Sequence, residues 1–333
     1  MKVLLDAMGG DHAPLSNIEG AISAVSELGV EVILLGDEEL LWPHLKKKGE
    51  IKNPKISVCH CSQQITMDEK PVQAIRSKKD SSLVKGLGML KNKEADAFVS
   101  AGSTGALLAG GLFLVGRIKG IDRPALTGVY PTSKGGSVLL DIGANADCKP
   151  KNFDEFAMMG SVYASAVLGR KNPKVALINI GAEEEKGNEL YKEAHQLMKQ
   201  SENYCFVGNL EAREVPKGEV DVMVCDGFTG NIILKLTEGV AKTLFSEIKS
   251  VFMSNFLNKL AGAAVSSSFR RLKNHLDSDE YGGAPLLGVN GVVIKAHGSS
   301  GGKAIKNAIR QAKLFHESRS LEKIIDYANN KMI

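Results

Sequence analysis

Lys2-Val3-Leu4-Leu5-Asp6-Ala7-Met8-Gly9-Gly10-Asp11-His12-Ala13-Pro14 opens the chain and carries the pattern that decides the fold. Its apolar run has no polar alternation, as expected of a strand covered on both sheet faces. The run stops at an acid, a glycine pair follows, and a helical pattern begins at Leu15. The same order of strand, small polar turn and helix recurs along most of the sequence. Strands are predicted over Lys2–Asp6, Glu31–Gly36, Lys55–His60, Asp96–Ala101, Ala125–Tyr130, Ser137–Ile142, Lys174–Ile180, Asp221–Asp226 and Gly291–His297. Helices are predicted over Leu15–Leu28, Glu38–Lys48, Met67–Lys79, Thr104–Val115, Phe153–Leu168, Gly187–Gln200 and Thr229–Lys249. Such alternation argues for an α/β fold with a mostly parallel sheet and helices on both faces.

Glycine is the compositional anomaly, at 35 of 333 residues. It gathers in six turns that end predicted strands: Asp6–Asp11, Ser100–Gly105, Asp141–Asn145, Asn179–Gly187, Asp226–Asn231 and His297–Gly302. Ligands of open α/β sheets bind outside the carboxyl ends of the strands. Glycine there permits positive φ and close approach to backbone N–H groups, and the helix N-termini that follow attract anions. A phosphate-handling edge is the reading, against the plain alternative of tight turns. A Walker loop is excluded, because around Gly302-Lys303 position 297 is His and position 304 is Ala. No Gly-x-Gly-x-x-Gly follows the first strand, so ordinary dinucleotide binding is unsupported.

Asp6, Asp141 and Asp226 end strands, where they could cap a turn, orient a lysine or bind a metal. Lys186, Lys235, Lys295 and His297 stand in or near the same turns and could hold an anion. No metal or other cofactor is expected. Cys59-His60-Cys61 lacks a second pair at zinc-ligand spacing and reads as a strand end. Five scattered cysteines suit a reducing cytoplasm.

Lys+Arg exceeds Asp+Glu by 42 − 38 = 4, aromatics are 5% of residues and Trp42 is the only tryptophan. Neither a nucleic-acid footprint nor a base-stacking platform is indicated. The positive charge is uneven: Lys242–His275 holds six Lys/Arg against one acid, and Lys295–Lys323 seven against two. No signal peptide is expected, since the N-terminal apolar run Val3-Leu4-Leu5 is three residues long before Asp6, and no membrane span, since the longest weakly polar stretch, Gly105–Gly116, has twelve residues where about twenty are needed. From Ser250 to Val265, Phe252, Met253, Phe256, Leu257, Leu260, Ala261 and Ala264 recur at helical spacing opposite Asn255, Asn258 and Lys259. The basic run Phe269–His275 follows. This stretch fits an interfacial helix on an anionic membrane, or a helix packed in a core or dimer interface.

The motifs then point to a family. Asp6-Ala-Met-Gly-Gly-Asp-His-Ala-Pro14, Ser100-Ala-Gly-Ser-Thr-Gly-Ala106 and Leu139-Leu-Asp-Ile-Gly-Ala-Asn145 resemble the PlsX family, as do Glu184-Glu-Lys-Gly-Asn188, Asp226-Gly-Phe-Thr-Gly-Asn231 and Tyr281-Gly-Gly-Ala-Pro-Leu-Leu-Gly-Val-Asn-Gly291. Its members are the acyl-carrier-protein:phosphate acyltransferases of bacterial phospholipid synthesis. The match runs from residue 1 to about residue 320. The resemblance implies that acyl-ACP and inorganic phosphate give acyl phosphate and free ACP. It also implies a three-layer α/β/α sandwich like that of isocitrate dehydrogenases and phosphotransacetylases. The chain is then expected to form one domain over 1–333 with 250–275 protruding, assembled as a homodimer, cytoplasmic and peripherally membrane-associated. Membrane contact falls on Phe256, Leu257 and Leu260, and the basic patches suit an acidic carrier protein.

For such a reaction phosphate is already a competent nucleophile, so no Ser-His-Asp or Cys-His dyad is needed. The site must place phosphate about 3–3.5 Å from the thioester carbonyl and stabilise an oxyanion. Catalytic candidates are Lys186, His297, Asp6 and Asp141. Phosphate or oxyanion binding is expected from Gly9, Gly10, Ser103, Thr104, Gly105, Asn145, Gly227, Thr229, Gly230, Asn231 and Lys295. An apolar groove is required for the acyl chain, with Leu107 and Leu108 as one option and plain core as the other. Competing readings are a phosphate acetyl- or butyryltransferase using CoA thioesters, a noncatalytic membrane scaffold, and, third, a nicotinamide dehydrogenase.

Overall fold

Val3 and Leu5 point to one face of the first strand, Leu4 points to the other, and all three are fully buried. That is why the run has no polar alternation. A computed structural model describes residues 1–276 and 282–330, apart from the side chains of 273–276 and 330. Tyr281, Lys273 and His275 of the motifs above therefore lie, wholly or in their side chains, outside the described residues.

Among the described residues eleven strands form one sheet: β1 (Lys2–Asp6), β2 (Glu31–Gly36), β3 (Ile56–His60), β4 (Ala97–Ser100), β5 (Ala125–Thr132), β6 (Gly135–Leu140), β7 (Lys174–Asn179), β8 (Cys205–Glu211), β9 (Val222–Val224), β10 (Ala284–Leu287) and β11 (Val292–Lys295). Their order is β3-β2-β1-β4-β11-β10-β5-β6-β9-β7-β8. All nine predicted strands form, with ends moved by a few residues. β8 and β10 were not anticipated. β10 is four residues long and contains Pro285, which weakens any strand signal.

That short strand governs the topology. β3, β2, β1, β4 and β11 are mutually parallel, and so are β6, β9, β7 and β8. The joints β11–β10, β10–β5 and β5–β6 are antiparallel. Three reversals set the two parallel halves in opposite senses. The six glycine turns, expected along one edge, instead divide into two groups of three. The turns after β1, β4 and β11 form one group; those after β6, β9 and β7 form the other. Twist of about 20–25° per strand accumulates to about 120–150° over the six steps from β1 to β9. The opposed ends are thereby swung toward one another.

Helices α1 (Leu15–Leu28), α2 (Glu38–Lys47), α6 (Pro150–Ala166), α7 (Glu189–Lys199), α10 (Gly302–Glu317) and α11 (Ser320–Asn330) share one core with one face of the sheet. On the other face, α3 (Pro71–Ser77), α4 (Ser82–Lys91) and α5 (Thr104–Gly110), with the π-helical turn Gly111–Val115, cover the first half. There Ala106 and Leu107 are core and Leu108 packs against it. Ile233 and Leu234, from α8 (Gly227–Met253), pack on that face of the second half, where a 3-10 turn over Ala212–Lys217 also lies. This is a three-layer α/β/α arrangement. Cys59 and His60 end β3, and burial pushes the Cys61 thiol up to about 12, as suits a structural cysteine.

α8 continues four residues past its predicted end and is followed by α9 (Phe256–Leu276). The two pack through the Phe252 and Phe269 rings, 5.4 Å apart, and through Phe252 against Gly262. No residue from Val251 to Leu272 is buried, so the stretch does not belong to this chain's core. Among the described residues no helix is long and apolar enough to cross a membrane.

Candidate active site

The turn after β1 is built around Asp6. Its carboxylate accepts hydrogen bonds from Ser82 Oγ (2.6 Å), Ser100 Oγ (2.7 Å) and the Met8 amide (3.2 Å). Burial nevertheless pushes the carboxyl above its ordinary range, against the pull of those donors. Gly9 is required here: a Cβ would lie 2.5 Å from Asp6 Oδ2 and 2.6 Å from the Gly102 nitrogen. Gly10 adopts φ +102°, where a side chain would be strained, and a Cβ would come within 3.0 Å of Ala101 Cβ and of the Gly298 carbonyl oxygen. Asn17 pins the loop from below, donating from Nδ2 to the carbonyls of Ala7 (3.0 Å) and Gly9 (2.9 Å). The Asp11 amide donates to Gly298 O at 2.8 Å. The turns after β1, β4 and β11 are therefore in mutual contact.

Lys295 ends β11 inside this corner and is only 8% exposed. Its ammonium donates to the carbonyls of Ala101 and Ala296. Burial lowers its pKa from the ordinary 10.5 to about 8, with Lys235 pushing the same way and Asp6 and Asp11 opposing. His297, two residues on, is exposed; its Nδ1 is 2.9 Å from Ser299 Oγ and its Nε2 is 3.1 Å from Lys235 Nζ. Lys235 also holds Glu238 Oε2 at 2.7 Å. Lys235 lies on α8, which starts at the other group of turns, so this contact ties the two groups together. Ser103 caps α5, accepting from the Ala106 amide at 3.4 Å; Thr104 begins the helix and Gly105 packs against Pro71.

In the second group Asp141 is a hub of the fold. Its carboxylate accepts from the amides of Leu126 (3.1 Å), Gly143 (3.1 Å), Ala144 (2.9 Å) and Asn145 (2.6 Å) and from Asn145 Nδ2 (2.8 Å). Burial still raises its pKa. Asn145 Nδ2 donates also to Pro124 O. Asp226 caps α8 through the Thr229 amide (2.7 Å) and receives the Tyr191 hydroxyl at 2.5 Å. The amides of Gly227 and Gly230 donate to Asn145 O and Asp226 O. The N–H groups of Gly227, Thr229 and Gly230, expected to face an oxyanion, are thus engaged within the fold. Asn231 is exposed, with its side chain against Gly143. Lys186 is exposed beside Gly181, in the turn after β7. Its side chain has no hydrogen-bond or ion-pair partner among the described residues.

Of the sequence candidates, Asp6, Gly9, Gly10, Lys295 and His297 come together, with Ser103, Thr104 and Gly105 on the adjoining turn. Asp141, Asn145, Gly227, Thr229, Gly230 and Asn231 form a separate cluster, and Lys186 stands at a third turn. Sequence reading missed Asn17, Ser82, Glu238 and Ser299. The first two had a signal: a polar residue on the apolar face of α1, and the second of two serines opening α4. The others sit close in sequence to candidates already singled out, Glu238 three residues after Lys235 on α8 and Ser299 two after His297 in the same turn, so spacing was their only signal.

The family model described as Fatty acid synthesis protein matches residues 1–323. A phosphate acyltransferase of Alkaliphilus oremlandii is 58% identical over 324 residues, 97% of this chain and 96% of that relative. One of Clostridioides difficile is 52% identical over 97% of this chain and 95% of its own length. Among solved structures, a phosphotransacetylase of Staphylococcus aureus has a TM-score of 0.62 at 17% identity, covering 96% of this chain and 94% of its own. That last likeness is one of fold.

Proposed function

Because the chain belongs to the fatty acid synthesis protein family, we infer that it is an enzyme, a phosphate acyltransferase, and that its acyl donor is a fatty acyl thioester of acyl carrier protein. One observation carries the placement of the reaction: three glycine-bearing turns meet around the buried cation Lys295. A buried ammonium without an ion-pair partner in contact is costly unless an anion repays it, and phosphate is the anion the family's reaction uses.

In this reading phosphate sits against Gly9, Gly10 and Lys295, with His297 at the mouth of the turn. Asp6, held by two serines, orients Lys295 through their mutual attraction. A phosphate oxygen attacks the thioester carbonyl carbon. The new C–O bond makes an acyl phosphate, the C–S bond breaks, and the carrier's thiolate leaves. Lys186 is the candidate proton donor to that thiolate, and the Ser103–Gly105 turn the candidate oxyanion contact. Asp141 acts only by building the second group of turns.

The α9 residues Phe256, Leu257 and Leu260 are 74%, 75% and 55% exposed, on a helix that also carries the exposed cations Lys259, Arg270 and Arg271. Apolar side chains backed by cations are suited to peripheral contact with an anionic membrane from the cytoplasm. The exposed lane Phe228, Ile232, Leu236, Val240 and Leu244 on α8, one residue per four, suits the homodimer contact. Acyl phosphate formation tests the reading: purified protein with long-chain acyl-ACP and labelled phosphate should yield labelled acyl phosphate. Use of acetyl-CoA alone would replace it with a short-chain phosphotransacylase, and vesicle binding without any acyl phosphate would leave a scaffold.

A further inference from the structure

Lys235 lies eight residues into α8, about 12 Å along the helix from the Gly227 end. The helix begins among the turns of the second half, yet Lys235 touches the turn that follows β11 in the first. An ammonium has donors and no acceptor, so the His297 Nε2 atom 3.1 Å away must present its lone pair. The other ring nitrogen, Nδ1, lies 2.9 Å from Ser299 Oγ and 3.3 Å from the Ser299 amide nitrogen. One of the three ammonium hydrogens goes to His297, and a second to Glu238 Oε2 at 2.7 Å. The third is left for a ligand. Lys235 and Lys295 are near enough to repel each other, and two like charges brought to one glycine-lined corner attract a dianion between them.

We propose that Lys235 is a phosphate-binding residue, carried by α8 from the second half of the sheet to the corner formed by the first, and that Glu238 is its positioning residue. The proposal rests on the acyl transfer to phosphate inferred above and adds that neither half holds phosphate alone. His297, with Nε2 turned to Lys235, fixes the direction of the ammonium and offers phosphate no N–H from that nitrogen. Glu238, one turn further along the same helix, stops Lys235 from swinging into solvent.

The test uses the full chain with Lys235→Met, Lys235→Arg, Glu238→Gln and the double variant Lys235→Met/Glu238→Gln. Lys235→Met should raise the phosphate KM at least tenfold and leave the acyl-ACP KM within twofold. Lys235→Arg should restore most of the affinity, and Glu238→Gln should raise the phosphate KM about threefold to fivefold. Because Glu238 acts through Lys235, the double variant should be no worse than Lys235→Met. A second measurement needs no turnover: inorganic phosphate should raise the melting temperature of the wild type and much less that of Lys235→Met. An unchanged phosphate KM, or equal loss for both substrates, would overturn the role. If the wild type makes no acyl phosphate, the proposed function fails. The phosphate-dependent melting shift then decides Lys235 separately, and an equal shift in Lys235→Met would remove it as an anion site.

Discussion

Replacing Lys295 with methionine should make the protein more stable at neutral pH while removing its activity. Methionine keeps the unbranched stem and discards the charge. Burial lowers the folded-state pKa of Lys295 from 10.5 to about 8. A lowered pKa on a base means the unfolded chain binds the proton more tightly, so the cost is fully present below about 8 and is lost as pH rises through 10.5. At about 1.4 kcal/mol per pKa unit, the shift costs about 3 kcal/mol at pH 7 and about 1 kcal/mol at pH 9.5. Against this, the variant loses hydrogen bonds to the carbonyls of Ala101 and Ala296, about 1 kcal/mol each. Methionine should thus be ahead by about 1 kcal/mol at pH 7 and behind by about as much at pH 9.5. Urea unfolding of both proteins at the two pH values reads the crossing directly, and phosphate kinetics should show at least a hundredfold loss in kcat/KM. A variant less stable than wild type at pH 7, with a difference that does not move with pH, would refute the buried-cation argument.

Other outcomes follow from the same geometry. Asp141→Ala strands five donors in the turn after β6 and should cost about 3–5 kcal/mol in chemical denaturation; an unmoved midpoint would show that the hub is dispensable. Leu257→Glu with Leu260→Glu should release the protein from anionic vesicles in a sedimentation assay with turnover largely intact. Unfolding of that variant would mean α9 is needed for the fold. His297→Ala and Lys186→Ala should each lower turnover at least tenfold with thermal melting unchanged, and a near-normal rate for either removes that residue from the reaction.

The sequence made the alternation of strands and helices readable because most strands are buried on both faces, as with Val3-Leu4-Leu5. It hid the direction of the second half. Ala284-Pro285-Leu286-Leu287 is too short and too proline-marked to read as a strand, yet it supplies two of the three antiparallel joints. Without it the six glycine turns looked like one edge. The corner around Lys295 was legible from motif residues, since Gly9 and Gly10 are glycines for steric reasons. The long-range partners were not: Ser82 meets Asp6 across 76 residues and Lys235 meets His297 across 62. Asp141 and Asp226 end strands, where capping a turn is the commoner role and catalysis the rarer, and the donors each accepts from make them builders of their turns.

The proposed reaction stands or falls on where phosphate binds. A crystal structure of the protein soaked with inorganic phosphate measures that directly. Phosphate should lie at the meeting of the turns after β1, β4 and β11, within hydrogen-bond distance of Lys295 Nζ and a backbone amide of Gly9 or Gly10. Phosphate found instead at the Asp226–Asn231 turn, with the Lys295 corner unchanged, would contradict it.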